Sequence, residues 1–589
     1  MQQTLDWRRL YSLPRWSLPL WTVQEPDKCV ILGAESGTQQ VWAWNPGRRE
    51  QAQRLSAEPN GVRQIALSPG ATYVCWFSQD EDGGGHWMRR LYDGSGKALP
   101  MHATLPRSRN CGVSVGMETT ILGLGLQSAS IVYRITDSAD SLQLIYETDD
   151  RICVGSLDET EKYVSFSRRS RRDGGLAGIT VIDCANGAEI ARMPPQAHRQ
   201  FLPIAWRPRC PNMQMLCLDG NPGGWSISLW EPFSGSVPLP VRTPLNGDLS
   251  ATWYPDGEHL LLTATTSAQT SLFRYTLKDE TVTPIDPGHG VVEQARVRPN
   301  GEVWMSWSAI SNPNLVRSSS GRVLLGTDYA HSTIPSSQQV NVPTSYGTVH
   351  CIVTEPSSPR PHPTVFLAHG GPADHDRDAW NPKVLSFALA GYCVIQVNYR
   401  GSTGFGPEWI NAALPDPGHL ELQDLRFVRD HLVSTNLVDP SRVALAGSSW
   451  GGYLALLAAG TSPSSWAAFI AEAPIADYVT AFEDEVDEAR SFDRLLFGGD
   501  PTEQPERYRR ASPMTYIDQL LGPVLVIAGR NDPGCSIRQV RRYVTAALGA
   551  GKEITLHECN MGHGTADRNK QIRHQAISIS FLDRIMRQV

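Results

Sequence analysis

From about Cys29 to about Gly326, apolar and polar residues alternate over short runs, and helical spacing is almost absent. The runs ALSPGATYVCWFS, GSLDETEKYVSFSRR, AWRPRCPNMQMLCL, TWYPDGEHLLLTAT and RVRPNGEVWMSWS share one rhythm: Pro or Asp, a turn, a strand, a polar loop, a second strand. Their starts fall roughly 35 to 50 residues apart, the length of a four-stranded propeller blade. Runs such as GITVIDCANGAEI, SISLWEPFSGSV and SLFRYTLKDETV supply the remaining strands, each closing on a turn. Counting from CVILGAESGTQQVWAWNPG to the segment ending near Leu325 gives about seven blades.

After about Tyr329 the rhythm changes. TVFLAHG, YCVIQVNYRG, RVALAGSS, AAFIAEAP, PVLVIAGRND and EITLHECNMG are nearly continuous apolar runs, the pattern of strands buried on both faces of a parallel sheet. Helical patterns lie between them: DLRFVRDHLVSTNL places Leu425, Val428 and Leu432 on one stripe, another begins after Ser449, and SIRQVRRYVTAALGAG ends on glycine. Strand-helix alternation over about 260 residues predicts a doubly wound, mostly parallel α/β domain. The expected division is 1–326 for the propeller and 327–589 for the α/β domain, with the option that the first ~25 residues pack on the latter.

Composition narrows the function classes. A chain of 589 residues exceeds what one core supports. A net charge of -7, without a basic arm, gives no footprint for nucleic acid or an anionic membrane. Prolines and arginines interrupt the apolar residues of the N-terminus before a signal can form, and no run reaches the ~18 apolar residues of a membrane span. A cytoplasmic protein is expected, with a homo-oligomer left open. The 11 cysteines include no CxxC pair and no Cys/His spacing for zinc, so free thiols and no metal are expected.

The chemistry concentrates at LAGSSWGGYLALLAAG. Gly447-Ser448-Ser449-Trp450-Gly451 fits G-x-S-x-G with a strand before it and a helix after it, the context that exposes a serine on a sharp turn. A serine hydroxyl needs a base to take its proton. Asp532 follows the apolar run PVLVIAG, and His563 lies in a glycine-flanked loop after the next strand. The order Ser449, Asp532, His563 is that of an α/β-hydrolase. The oxyanion of a tetrahedral intermediate needs two donors. The backbone N–H of Trp450 supplies one, and HGGP after TVFLA supplies the other, with Gly371 favoured and the His369 imidazole read as structural.

HGGP, NYRGSTGFG, VDPSRVALAGSSWGGY, YRRASPMTYI, GRND and MGHG occur in this order. The chain resembles the prolyl oligopeptidase family of serine peptidases (S9), on the acylaminoacyl-peptidase side. That resemblance implies an N-terminal β-propeller on an α/β-hydrolase, no cofactor, a triad of Ser449, Asp532 and His563, and an oxyanion hole at Gly371 and Trp450. It implies hydrolysis of small peptides or of aminoacyl and acyl-aminoacyl compounds, with the propeller restricting entry. An amidase, esterase or acyltransferase acting on a peptide-like metabolite is the alternative, and a non-catalytic propeller scaffold stands furthest away. Members of the family often carry an arginine two residues after the aspartate, where it binds a substrate carbonyl; here the residue is Gly534. Arg530 and Arg538 are candidate replacements, and Arg530 and Tyr453 count as candidate substrate contacts. The acidic run Glu483, Asp484, Glu485, Asp487 and Glu488 reads either as a solvated helix face or as an anionic pocket, with Glu485 and Glu488 receiving a substrate amine. His375, Asp376 and Asp378 read as a polar surface loop rather than metal ligands.

Overall fold

The computed structural model describes the chain except residues 1–4, 35–36, 48–51, 81–82, 137–140, 172–174, 197–198, 222–223, 327–333, 486 and 588–589, and the side chains of 487 and 488. Two compact units emerge, one from Pro14–Ser308 with Asn314–Asp328, the other from Met1–Leu13, Ala309–Pro313 and Tyr329–Val589. The expected boundary at 326/327 abuts residues outside the described set.

The first unit holds seven four-stranded antiparallel sheets, each built from consecutive strands. From the second sheet on, successive first strands begin at Ile65, Arg109, Arg151, Gln200, Asp248 and Val291, so the predicted blade period holds. Side chains of neighbouring blades form the cores between them. Ile121 and Val132 of one sheet pack with Ile152, Val164 and Phe166 of the next, all buried.

First and last blades meet without exchanging a strand. The first sheet runs from Arg15–Trp16 to Gln53–Arg54 and the last from Val291–Val297 to Val323–Leu325. Their seam is held by aromatic packing and one cation. Trp21 and Trp304 meet edge-on at 5.3 Å, and the Arg298 guanidinium lies 4.9 Å from the Trp21 ring and 4.2 Å from that of Trp304. Arg298 is buried at 6% exposure, and it donates to Asp27 at 3.1 Å and to the Pro26 carbonyl.

The second unit is one eight-stranded sheet. We number its strands β1 (Ser337–Thr344), β2 (Gly347–Thr354), β3 (His362–Ala368), β4 (Cys393–Asn398), β5 (Val438–Ser448), β6 (Ala468–Glu472), β7 (Val524–Gly529) and β8 (Ile554–Cys559). Their spatial order is β1-β2-β4-β3-β5-β6-β7-β8. β1, β2 and β4 pair antiparallel, and all pairs from β4 through β8 are parallel. Helices cover both faces, as continuous apolar strands require. On one face lie α1 (Pro382–Leu389) and α5 (Arg568–Met586); on the other α2 (His419–Ser434), α3 (Trp450–Thr461) and α4 (Ile537–Gly549). Leu425, Val428 and Leu432 of α2 are buried as their spacing predicts. Residues 7–12 form a 3-10 turn whose Leu10 packs in the same cluster as α1 and α5.

Candidate active site

The motif around Ser449 folds as a strand, a tight turn and a helix. β5 ends at Ser448, Ser449 adopts φ 56° and ψ -117°, and α3 begins at Trp450. Positive φ at a residue with a Cβ costs about 1–3 kcal/mol and persists only where the surroundings enforce it. Here they do. The Ser449 N–H donates to the Glu472 carbonyl of β6 at 2.9 Å, and its carbonyl accepts the Tyr453 N–H at 2.9 Å. The glycines permit the crossing of strand and helix. A Cβ on Gly447 would come within 2.3 Å of the Gly451 backbone, and one on Gly451 within 2.1 Å of the Ala368 carbonyl oxygen.

Asp532 and His563 leave the carboxyl ends of β7 and β8, beside the end of β5. The Ser449 Oγ lies 3.0 Å from His563 Nε2, and His563 Nδ1 lies 2.9 and 3.0 Å from the Asp532 oxygens. The Asp532 carboxylate is shut off from solvent, and its Oδ1 also accepts the N–H groups of Gly534 at 2.9 Å and Cys535 at 2.8 Å. These donors fix its direction. The hydrogen bond to Asp532 raises the His563 pKa above its ordinary value against the opposing effect of burial. Ser449, His563 and Asp532 are thus one hydrogen-bonded series.

The HGGP loop runs along the serine. A Cβ on Gly370 would lie 3.5 Å from that of Ser449. His369 Nδ1 donates to the Gly370 carbonyl at 2.7 Å, and its Nε2 faces Ser402 Oγ at 2.8 Å. The ring stacks on Tyr399 at 4.2 Å, and burial pulls its pKa down to about 4, so it is neutral. In a trans peptide the N–H points opposite the carbonyl. Holding the Gly370 oxygen therefore aims the Gly371 N–H away from His369. This imidazole works through the backbone, as the structural reading of His369 expected.

Several expected contacts come out differently. Tyr453 is no substrate contact: it is fully buried, between Trp450 at 4.9 Å and Tyr478 at 5.2 Å, and its hydroxyl donates to the Pro417 carbonyl at 3.3 Å. α3 is enclosed along its whole length, so it has no polar face to offer a ligand. Arg530 is engaged by Glu558 at 2.6 Å, and Arg538 by Glu483 at 2.5 Å and Asp484 at 2.8 Å. Both replacement anchors are spent on carboxylates of the protein. At Gly534 a Cβ would meet Asp532 Oδ1 at 3.7 Å and His563 Nδ1 at 3.8 Å, ordinary contact distances.

The acidic run is divided. Glu483 and Asp484 lie outside with Arg538, whereas Glu485 is buried at 6% exposure. The Glu488 side chain lies outside the described residues. Asp493, which sequence reasoning missed, is also buried, and Glu485 Oε2, Asp493 Oδ2 and the Tyr478 hydroxyl each lack a hydrogen-bond partner. Burial pushes both carboxyls up, and the charge of Glu485 adds to the effect on Asp493. They neighbour the triad: burial pushes the Cys535 thiol up, and Asp532, Glu485 and Asp493 add to that effect. A solvated helix face therefore describes Glu483 and Asp484 but not Glu485. The loop at 375–378 is likewise packed rather than free, with Gln396 donating to Asp376 at 2.7 Å and Asn398 accepting its N–H at 2.7 Å.

Comparison with known proteins bears on the same region. Residues 377–588 match the prolyl oligopeptidase family. The acylamino-acid-releasing enzyme of Rattus norvegicus is 30% identical over 230 residues, 38% of this chain and 31% of that one. Dipeptidyl peptidase family member 6 of Caenorhabditis elegans is 29% identical over 232 residues, again 38% and 31%. The match thus spans about a third of these relatives' length. Solved structures extend the likeness of fold to nearly the whole chain. The acylaminoacyl peptidase of Pyrococcus horikoshii superposes with a TM-score of 0.79 at 15% identity, covering 99% of this chain and 97% of that one. A puromycin-hydrolyzing peptidase of Mycobacterium tuberculosis gives 0.82 at 16%, covering 99% and 96%. The comparisons lead to one conclusion: residues 377–588 are similar to the prolyl oligopeptidase family (S9), acylamino-acid-releasing enzymes among them, and the chain as a whole shares the two-part fold of solved acylaminoacyl peptidases.

Proposed function

We propose that this protein is a serine hydrolase that cleaves amide bonds of small peptides or of aminoacyl and acyl-aminoacyl compounds. The observation that carries the reading is the series Ser449 Oγ, His563, Asp532 at 3.0 and 2.9 Å. In this mechanism Ser449 Oγ attacks the carbonyl carbon while its proton passes to His563 Nε2. Asp532 holds the imidazole and stabilises the imidazolium. The carbonyl oxygen becomes an oxyanion received by the N–H groups of Gly371 and Trp450, the latter at the positive end of α3. Collapse expels the amine, which takes the proton from Nε2. Water, deprotonated by the same nitrogen, then releases the acyl group. No step requires a cofactor. A cytoplasmic setting suits the eleven unpaired cysteines, and among the described residues no helix is long and apolar enough to cross a membrane.

A fluorophosphonate probe tests the reading. Labelling is expected on Ser449 alone, absent from Ser449→Ala and retained in Ser448→Ala; the reverse pattern rejects the assignment. A panel of aminoacyl, acyl-aminoacyl, dipeptidyl and ester substrates then separates peptidase from esterase or acyltransferase.

A finer part of the proposal concerns the substrate's amine. Buried carboxyls without partners are costly, and an ammonium group supplies what they lack. An aminoacyl substrate is expected to outperform its N-acetylated counterpart by about tenfold in kcat/KM, the equivalent of one charge-assisted hydrogen bond. Glu485→Gln should erase that preference. Equal rates for the two substrates on the wild-type protein would leave Glu485 and Asp493 as structural acids.

A further inference from the structure

Away from the triad, the end of β8 and the middle of α5 bring together a second set of chemically capable side chains. His557 and Cys559 stand two residues apart on β8, hence on the same face of the sheet. Glu558 between them faces the other way, where it accepts hydrogen bonds from Arg530 and Arg541. α5 covers the face bearing His557 and Cys559, and there it contributes His574, whose ring centroid lies 5.7 Å from that of His557. One donor atom each from His557, Cys559 and His574 fall within 4.8 Å of one another. Among the described residues neither imidazole hydrogen-bonds another side chain or the backbone, and the Cys559 thiol makes one weak contact, to the Ala528 carbonyl at 3.5 Å.

We propose that His557, Cys559 and His574 form a binding site for a borderline-soft divalent transition-metal ion, with Zn2+ the best fit. The donor set carries the choice. Two imidazoles and a thiolate exclude Mg2+ and Ca2+, which take oxygen ligands. Zinc takes nitrogen at about 2.0–2.1 Å and sulfur at about 2.3 Å in a tetrahedron, so its ligand atoms stand about 3.4–3.7 Å apart. The present spacing, within 4.8 Å, has to contract by about 1 Å to reach that range. Three protein ligands leave a fourth position for water or for a carboxylate. Glu472, at the end of β6 and bridged to Lys383 at 2.7 Å, acts electrostatically on both His574 and Cys559 and is a candidate for that position.

Binding displaces the proton of the Cys559 thiol. The site also has a structural consequence. The Cys559 carbonyl accepts the N–H groups of Arg530 at 2.9 Å and Met561 at 3.0 Å, so an ion gripping Cys559 fastens the end of β8, from which the His563 loop departs and to which the start of the Asp532 loop is bonded. This proposal does not depend on the hydrolase reading.

The test titrates the metal-free full chain with Co2+, whose thiolate complexes give a ligand-to-metal band in the near ultraviolet and intense visible bands when tetrahedral. One equivalent of Co2+ should bind, Zn2+ should displace it, and affinity should rise about tenfold per pH unit while the thiol is protonated. Cys559→Ser should abolish the thiolate band and His574→Gln should weaken binding at least tenfold. His557→Gln is made as a second variant, and metal-free melts of all three confirm folding. Cys535→Ser is the decisive control, because Asp532, Cys535 and His563 also offer donor atoms within 4.8 Å of one another. A band that survives Cys559→Ser but vanishes in Cys535→Ser overturns the proposal. So does the absence of any thiolate band, or of any Zn2+-dependent rise in Tm, at sub-millimolar metal.

Discussion

The buried Asp532 carboxylate acts on His563 in a way that activity can read. Because its hydrogen bond raises the imidazole's pKa, the base is free only above a pH higher than an isolated histidine would need. The acid limb of kcat/KM, which reports the free enzyme, should therefore lie above about 6.5. Asp532→Asn removes the cause, so the limb should move toward lower pH while kcat falls about 10⁴-fold, the loss known for an equivalent substitution in another triad. A pH–rate profile of both proteins checks it, and an unmoved limb would mean that another group is titrating. These three residues were legible because their chemistry is tied to chain order and to strand ends. The burial of Tyr453 and of Asp493 was not. A helix enclosed on every side has no polar stripe to betray which residues meet a ligand, and a charge count does not say which of several adjacent acids turns inward. Glu485 becomes unusual only through Asp493 and Tyr478, which are remote in the reading of a linear pattern.

At the scale of elements, the α/β half was readable almost throughout, because strands buried on both faces admit only apolar runs and α3 must follow its serine closely. The loops were less so. The 375–378 loop looks solvated in sequence but is pinned by Gln396 and Asn398 from the neighbouring β4. His557, Cys559 and His574 have no recognisable zinc spacing, since a strand and a helix bring them together. The loop after β7 yields a prediction of its own. A Cβ at Gly534 would make only ordinary contacts, and the nearby arginines are engaged elsewhere. Lengthening a substrate from one residue to two should bring little gain in the natural protein. In Gly534→Arg, a charge-assisted hydrogen bond to the added carbonyl, about 1.5–3 kcal/mol, should raise kcat/KM for the longer substrate roughly ten- to a hundredfold. A length series on both proteins measures it; a tenfold gain already present in the natural chain would show that another donor holds that carbonyl.

In the whole molecule, the blade count was readable because each blade repeats one supersecondary unit, whereas the seam between first and last blades left no repeat to recognise. It depends on Arg298, Trp21 and Trp304, each unremarkable in sequence. Arg298→Ala removes a cation held between two rings and a charged hydrogen bond, together about 2–4 kcal/mol. Thermal unfolding should show the loss as a lower Tm for the propeller transition, and two unchanged transitions would show that the seam is held by the apolar contacts alone. The seam has a further consequence. In a ring whose closing sheet is shared by both ends of the chain, backbone hydrogen bonds would have to break before the circle could part. Here each sheet is complete in itself, so the circle can part through side-chain contacts only, and every blade can keep its ladder while it does so. Hydrogen exchange would then leave the amides of both terminal sheets protected in a molecule whose ring stands momentarily open: a clasp, rather than a weld, joins the ends.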